Sequence, residues 1–196
     1  MLKFKRILFA TLLCMATCLT ANAQDETNHL EFKGIPIDGN MSSFLSKMNE
    51  KGFKTVTIQE EGTILSGQFA GENVDIIVYA SPKSKTVYMV TVVFPEKTSW
   101  YSLKSNFKNL ENSLQGKYGH PTIQRKEFDN PYYEGDGYEM SAVRMDKCSW
   151  FSRFSVERGS IDIMITKGKR VALYYSDQLN ETKKENEEKS SVYEDL

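Results

Sequence analysis

Apolar positions recur along this chain in two rhythms, and the change from one to the other marks the elements. Met41, Phe44, Leu45 and Met48 fall at helical spacing. Asp38 or Asn40 stands just before them, each with a side-chain oxygen able to cap free backbone N–H groups. Gly52 follows the stripe, where a left-handed residue commonly ends a helix. A longer helix is expected behind Ser99, because Trp100, Leu103, Phe107, Leu110 and Leu114 advance by three and four in turn. Gly116, Gly119 and Pro121 stop it.

Between and after these stripes the pattern is that of strands. Residues 54–59, 63–69, 74–79 and 86–94 are rich in Val, Ile, Thr and Tyr. Turn residues separate them, as in Ala70-Gly71-Glu72-Asn73 and Ser81-Pro82-Lys83-Ser84-Lys85. Strands are expected again at 122–128, 138–145, 149–156, 161–166 and 170–175. Such spacing reads as antiparallel meanders. The segments 74–79 and 86–94 are apolar on both faces, which places them centrally, with a helix on one side and something else over part of the other. Val56 and Ile58 share a face of the first strand.

The two halves resemble each other. Thr57-Ile58-Gln59 is matched by Thr122-Ile123-Gln124, and Val74-Asp75-Ile76-Ile77-Val78 by Ile161-Asp162-Ile163-Met164-Ile165. A Lys-containing turn then leads into a strand at Val87 or Val171. The expected fold class is therefore α+β, made of two helix-plus-antiparallel-meander repeats with their helices packed on the sheet. The divisions are a leader at 1–23, a loose polar lead at 24–33, a first repeat at 34–97 and a second at 98–178 with an aromatic insertion. Residues 179–196 form a charged tail, read as disordered or as a frayed helix.

The leader changes the bookkeeping. Lys3, Lys5 and Arg6 precede a short apolar run, and Ala21-Asn22-Ala23 offers small residues at the two positions a signal peptidase inspects. The run is about half the roughly 20 apolar residues a membrane span requires. Cys14 and Cys18 follow Leu13 and Thr17, not the small residues a lipidation site wants, so cleavage near Ala23 is preferred to a lipid anchor. The expected location is the periplasm or the exterior. Of 25 basic residues three lie in the leader, and none of the 26 acidic ones do, leaving a net charge of −4. That balance speaks against nucleic acid, whose binding modules cluster Lys and Arg on one face. Only Cys148 of three cysteines survives cleavage, so the exported domain has no internal disulfide and rests on its core.

The architecture of two helix-plus-meander units in a small exported protein resembles the tandem-repeat fold of β-lactamase inhibitor protein and its relatives. Phe32-Lys33-Gly34-Ile35-Pro36-Ile37-Asp38-Gly39 and Lys117-Tyr118-Gly119-His120-Pro121 resemble phrases recurrent in uncharacterised secreted proteins of the Bacteroidetes. The resemblance spans roughly residues 30–175 and implies a fold and a binding role. It departs from the inhibitor in lacking the paired cysteines that brace its repeats, and it carries over no binding residue.

Candidate chemistry is sparse. His29 lies in the polar lead, and His120 sits between Gly119 and Pro121 at a helix-to-strand turn. Little would hold the first in place, and a polar loop residue is expected at the second, so neither is read as the base that nucleophilic catalysis needs. Cys148 shares a strand face with Trp150, Phe154 and Val156, as a buried thiol would. Two distant histidines and one cysteine make no zinc set. Counting from Asp129, Pro131 and Tyr133 occupy the third and fifth places where an EF-hand loop needs oxygen ligands. No phosphate-cradling glycine loop and no G-x-S-x-G occurs. No catalytic residue, metal or cofactor is assigned.

The insertion holds the candidate binding surface: Phe128, Tyr132, Tyr133 and Tyr138, set among acids and glycines. Tyrosine is enriched in interfaces because it gives large contact area at low entropic cost. Equally, these rings would pack a long hairpin onto its own sheet. Glu134 and Asp136 could serve as the carboxylate pair of a glycosidase, against the reading of such pairs as solvated loop charges. The expected function is an exported non-enzymatic module binding a protein or envelope component. Its alternatives are an inhibitor of a secreted enzyme and a glycan-binding or glycan-cleaving protein.

Overall fold

A computed structural model of the chain describes residues 29–59 and 62–194. The expected leader therefore lies outside the described residues, as does the start of the polar lead. The chain opens with a two-stranded turn, β1 (Glu31–Phe32) against β2 (Ile35–Pro36). Helix α1 (Met41–Glu50) follows, capped by Asn40, whose Oδ1 accepts the Ser43 N–H at 2.9 Å. Phe44 and Met48 of the expected stripe are buried. Four antiparallel strands come next: β3 (Lys54–Ile58), β4 (Thr63–Phe69), β5 (Glu72–Ala80) and β6 (Val87–Val93).

Helix α2 (Trp100–Tyr118) then crosses the sheet, capped by the Ser99 hydroxyl and ended by Gly119, whose φ of 81° suits a residue without Cβ. It delivers the chain to the far edge, where β7 (Ile123–Phe128) begins. A short helix α3 (Glu139–Arg144) intervenes before β8 (Cys148–Val156), β9 (Gly159–Thr166) and β10 (Arg170–Asp177). Helix α4 (Gln178–Glu194) closes the described chain. The main sheet has eight strands in the order β3-β4-β5-β6-β10-β9-β8-β7, every neighbouring pair antiparallel. The fold is α+β, and no helix among the described residues is long and apolar enough to cross a membrane.

The register defines the two faces. Leu65 pairs with Ile76, Ile76 with Val92, Val92 with Leu173 and Leu173 with Ile163, so these side chains share one face. All are buried, and α1 and α2 lie over them. Aromatic rings fill the core at two places. Phe32 stacks on Phe69 at 5.6 Å and meets Tyr175 edge-on at 5.2 Å. Trp150 meets Trp100 at 5.1 Å and Phe107 at 5.6 Å. Edge-to-face rings of this kind add about 1 kcal/mol each beyond their burial.

The opposite face carries Ile77, Thr91 and Tyr174 in register and is partly covered by α4, which rests on β6, β9 and β10. Thus β5 and β6 are central, as their two apolar faces predict.

Two expectations need correction, and a third is narrowed. The segment 138–145 holds α3 (Glu139–Arg144), not a strand. Glu139, Met140, Ala142 and Arg144 are good helix formers, and the buried pair Ala142 and Val143 is adjacent, which strand alternation does not allow. Of the two readings of the tail, helix or disorder, residues 178–194 take the helix, docked on the sheet. Finally, 29–33 is not loose: Leu30 and Phe32 are buried, and His29 is hydrogen-bonded to Asp177.

The docking of α4 is polar. Glu187 accepts the N–H groups of Lys83 and Ser84 at 3.1 and 3.2 Å in the β5–β6 turn. Lys183 reaches the Thr86 hydroxyl at 2.9 Å, and the Lys184 ammonium lies 5.8 Å from the Tyr88 ring. Hydrogen bonding from Ser84, together with the Lys83 N–H, holds the Glu187 carboxyl down at about 2. A depressed carboxyl contributes stability above its ordinary value of 4.5 and loses it as pH falls toward 2. Burial raises Glu181 on the same helix, which acts in the opposite sense and only above the ordinary value of 4.5. Amide hydrogen exchange should therefore show Lys83 and Ser84 protected at pH 5 and progressively exposed below pH 4, with a Glu187 titration midpoint near 2. A midpoint near 4.5 contradicts this docking.

Candidate functional site

The insertion between β7 and β8 is a self-contained loop. Its base is closed where Asp129 N–H donates to the Lys147 carbonyl at 3.0 Å. Asp136 organises its tip, accepting the Tyr133 N–H at 3.0 Å and the Tyr138 N–H at 2.7 Å, one on each carboxylate oxygen. Gly135 N–H donates to the Glu139 carboxylate at 2.8 Å, joining the tip to the first turn of α3. Glu134 pairs with Lys104 of α2. These bonds tie the tip to itself and to α3, with Tyr133 and Tyr138 on either side of Asp136.

Tyr133 and Tyr138 consequently face solvent, 64% and 65% exposed. The other two expected surface rings turn inward. Phe128 packs against Trp100 at 5.1 Å as part of the aromatic core. Tyr132 is half-buried, and its hydroxyl donates to the Met145 sulfur at 3.1 Å. Two of the four rings thus pack the hairpin and two are presented outward.

Two further exposed residues belong to this region. Met145 follows α3, and Tyr101 lies one helical turn before the Lys104 that holds Glu134. Tyr101 stands outside the apolar stripe of α2, and its exposure was readable from that phase. Met145 was hidden by the expectation of a strand.

The carboxylate pair is engaged locally, Glu134 with Lys104 and Asp136 with two backbone amides. His120 Nδ1 lies 2.8 Å from the Gln115 amide at the end of α2. His29 sits between Asp177, at 3.0 Å, and Asp38, at 3.7 Å. Among the described residues no group of three or more His, Cys, Asp or Glu side chains converges as a metal would require.

Cys148 is 9% exposed beside the Trp150 cluster, and burial pushes its thiol up to about 12. Thiolate is the reacting species. The folded protein should therefore react with an aromatic disulfide reagent at pH 8 about a hundredfold more slowly than the unfolded chain. Rapid stoichiometric labelling of the native protein contradicts that burial.

Sequence reasoning missed the buried acid of α2. Glu111, 5% exposed, accepts from Lys126 Nζ at 2.6 Å, Gln124 Nε2 at 2.9 Å and Ser152 Oγ at 2.5 Å. Its only signal was position: four residues after Phe107, it lies on the core side of the helix. Comparison with protein-family models, with curated proteins and with solved structures gives no match to this chain.

Proposed function

We propose that the chain is an exported, non-enzymatic binding module that recognises a protein or cell-envelope component through the aromatic loop between β7 and β8. The observation that carries this reading is the outward presentation of Tyr133 and Tyr138 by a loop bonded to itself through Asp136 and Glu139. A ring held in place before binding loses little entropy on contact. Export is supported by the basic, apolar and small-residue segments of residues 1–23. A preorganised aromatic loop also suits an inhibitor of a secreted enzyme, the reading that the resemblance in architecture favours.

We further propose that the two halves derive from one duplicated unit. Each half runs a helix and then four antiparallel strands, and the sheet order is symmetric about the β6–β10 contact. The matched segments at Val74 and Ile161 occupy β5 and β9, at equivalent places in that order. Each of their acids pairs with an arginine, but not at equivalent places, since Arg170 of β10 reaches Asp75 across β6 while Arg153 is the direct neighbour of Asp162 on β8. The Thr-Ile-Gln match lends no support, since it falls at the end of β3 and the start of β7.

The functional reading is tested by immobilising the protein and capturing partners from an envelope extract. A Tyr133→Ala/Tyr138→Ala variant should retain its melting midpoint to within about 2 °C, since neither ring is buried. It should lose captured partner by about tenfold or more. Equal capture by both proteins overturns the proposal.

A further inference from the structure

The two edges of the sheet are unlike. The β7 edge carries Arg125, Lys126 and Glu127, with ion pairs from Arg125 to Glu127 and from Lys126 to Glu111. Charges placed this way discourage strand addition. The β3 edge reads Lys-Thr-Val-Thr-Ile, all five residues exposed, with Val56 at 61% and Ile58 at 76%. Beside it runs a groove of about 540 Å³ between α1 and β3, whose walls include Met41, Leu45, Ser46, Asn49, Thr55 and Ile58. No charged side chain lines it.

Backbone groups on this edge are aimed outward. Gln59 and Gly62 exchange both hydrogen bonds, at 2.9 and 3.3 Å. In an antiparallel ladder the preceding residue, Ile58, then turns its N–H and C=O to the open side. At the other end of the strand Lys51 and Lys54 line a cleft of about 860 Å³ with Asp75, Glu96 and Arg170; the two acids pair with Arg170 and Lys169, whereas neither Lys51 nor Lys54 makes an ion pair among the described residues.

We propose that the β3 edge is a second binding site, which takes an extended peptide segment of a partner as an added antiparallel strand. Because β3 runs from Lys54 to Ile58, an antiparallel guest enters beside Ile58 and ends beside Lys54 and Lys51. Its alternate apolar side chains enter the α1–β3 groove, and its C-terminal end is acidic, meeting the two lysines. Main-chain bonds supply affinity in this mode, and the side-chain groove supplies selectivity.

A second copy of the chain is disfavoured as the guest. Pairing β3 with itself about a two-fold axis centres on Val56, where the register shift between Thr55 and Thr57 bends the strand. A short peptide beside Ile58 avoids that bulge. This site is independent of the aromatic loop, which lies beyond the opposite edge.

The probe is a labelled seven-residue peptide of alternating valine and threonine ending in two glutamates with a free carboxylate. Its control ends in two lysines and an amide. The acid-tailed peptide should bind about tenfold more tightly, and Lys51→Glu/Lys54→Glu should abolish that preference. Ile58→Pro removes an outward N–H that β4 does not use, and should weaken binding about tenfold with the fold retained. If Ile58→Pro fails to fold, amide shifts in the parent protein decide: changes at Thr55, Thr57 and Ile58 support the site. No binding, shifts confined to the Tyr133–Tyr138 loop, or affinity indifferent to Ile58→Pro and to peptide charge overturns it. Sedimentation showing a dimer that Ile58→Pro dissociates also overturns it, assigning the edge to a second copy.

Discussion

Asp177→Ala should cost about 3–5 kcal/mol of folding stability and lower the melting midpoint by roughly 10 °C. Asp177 is fully buried at the junction of β10 and α4. Its carboxylate accepts the Leu30 N–H at 2.7 Å, the Asn180 N–H at 2.9 Å and bonds His29 Nδ1 at 3.0 Å. Truncation leaves two buried backbone donors without an acceptor, one of them the Asn180 N–H that caps α4, each costing about 1–3 kcal/mol. Asn180 extends the clasp, its amide donating to the Ile37 carbonyl at 2.9 Å and the Val87 carbonyl at 3.2 Å. The effect should therefore spread, freeing the N-terminal turn and the start of α4 together. Chemical denaturation followed by circular dichroism measures it, and a loss below about 1 kcal/mol contradicts this role.

Glu111→Ala is the second large effect, about 3 kcal/mol. It strands the fully buried Ser152 hydroxyl and the Lys126 ammonium, which lies 5.6 Å from the Phe107 ring in a half-buried position. Removing one partner of a buried polar set costs more than removing the set, because the remainder keeps its desolvation penalty. The triple variant Glu111→Leu/Lys126→Met/Ser152→Ala should accordingly recover most of the loss. Denaturation midpoints of the parent, Glu111→Ala and the triple variant form the test. A triple variant weaker than Glu111→Ala contradicts the argument.

These two residues mark where sequence patterns end. Helices α1 and α2 were legible because their burial is apolar and periodic, and their caps at Asn40 and Ser99 stand where the stripes begin. Strands β5, β6, β9 and β10 were legible for the same reason. Helix α4 was not, since it docks through Lys183, Lys184 and Glu187 onto a polar turn and so leaves no apolar stripe. Position 29 looked free because its partner, Asp177, lies 148 residues away in sequence.

The insertion was half legible. Its aromatic content was visible, but the division into inward Phe128 and Tyr132 and outward Tyr133 and Tyr138 depends on Asp136 bonding two amides, a local geometry that composition does not encode. Val56 and Ile58 share the strand reading of β3, yet both are exposed because β3 is an edge and its register shifts between Thr55 and Thr57.

The aromatic loop is tested most directly by hydroxyl-radical footprinting of tyrosines, with and without a saturating envelope extract. Tyr133 and Tyr138 should be reactive in the free protein and several-fold protected when a partner is bound, while Tyr175, buried throughout, stays unreactive. Unchanged reactivity of Tyr133 and Tyr138 with partner demonstrably bound would contradict the assignment of this loop as the binding surface.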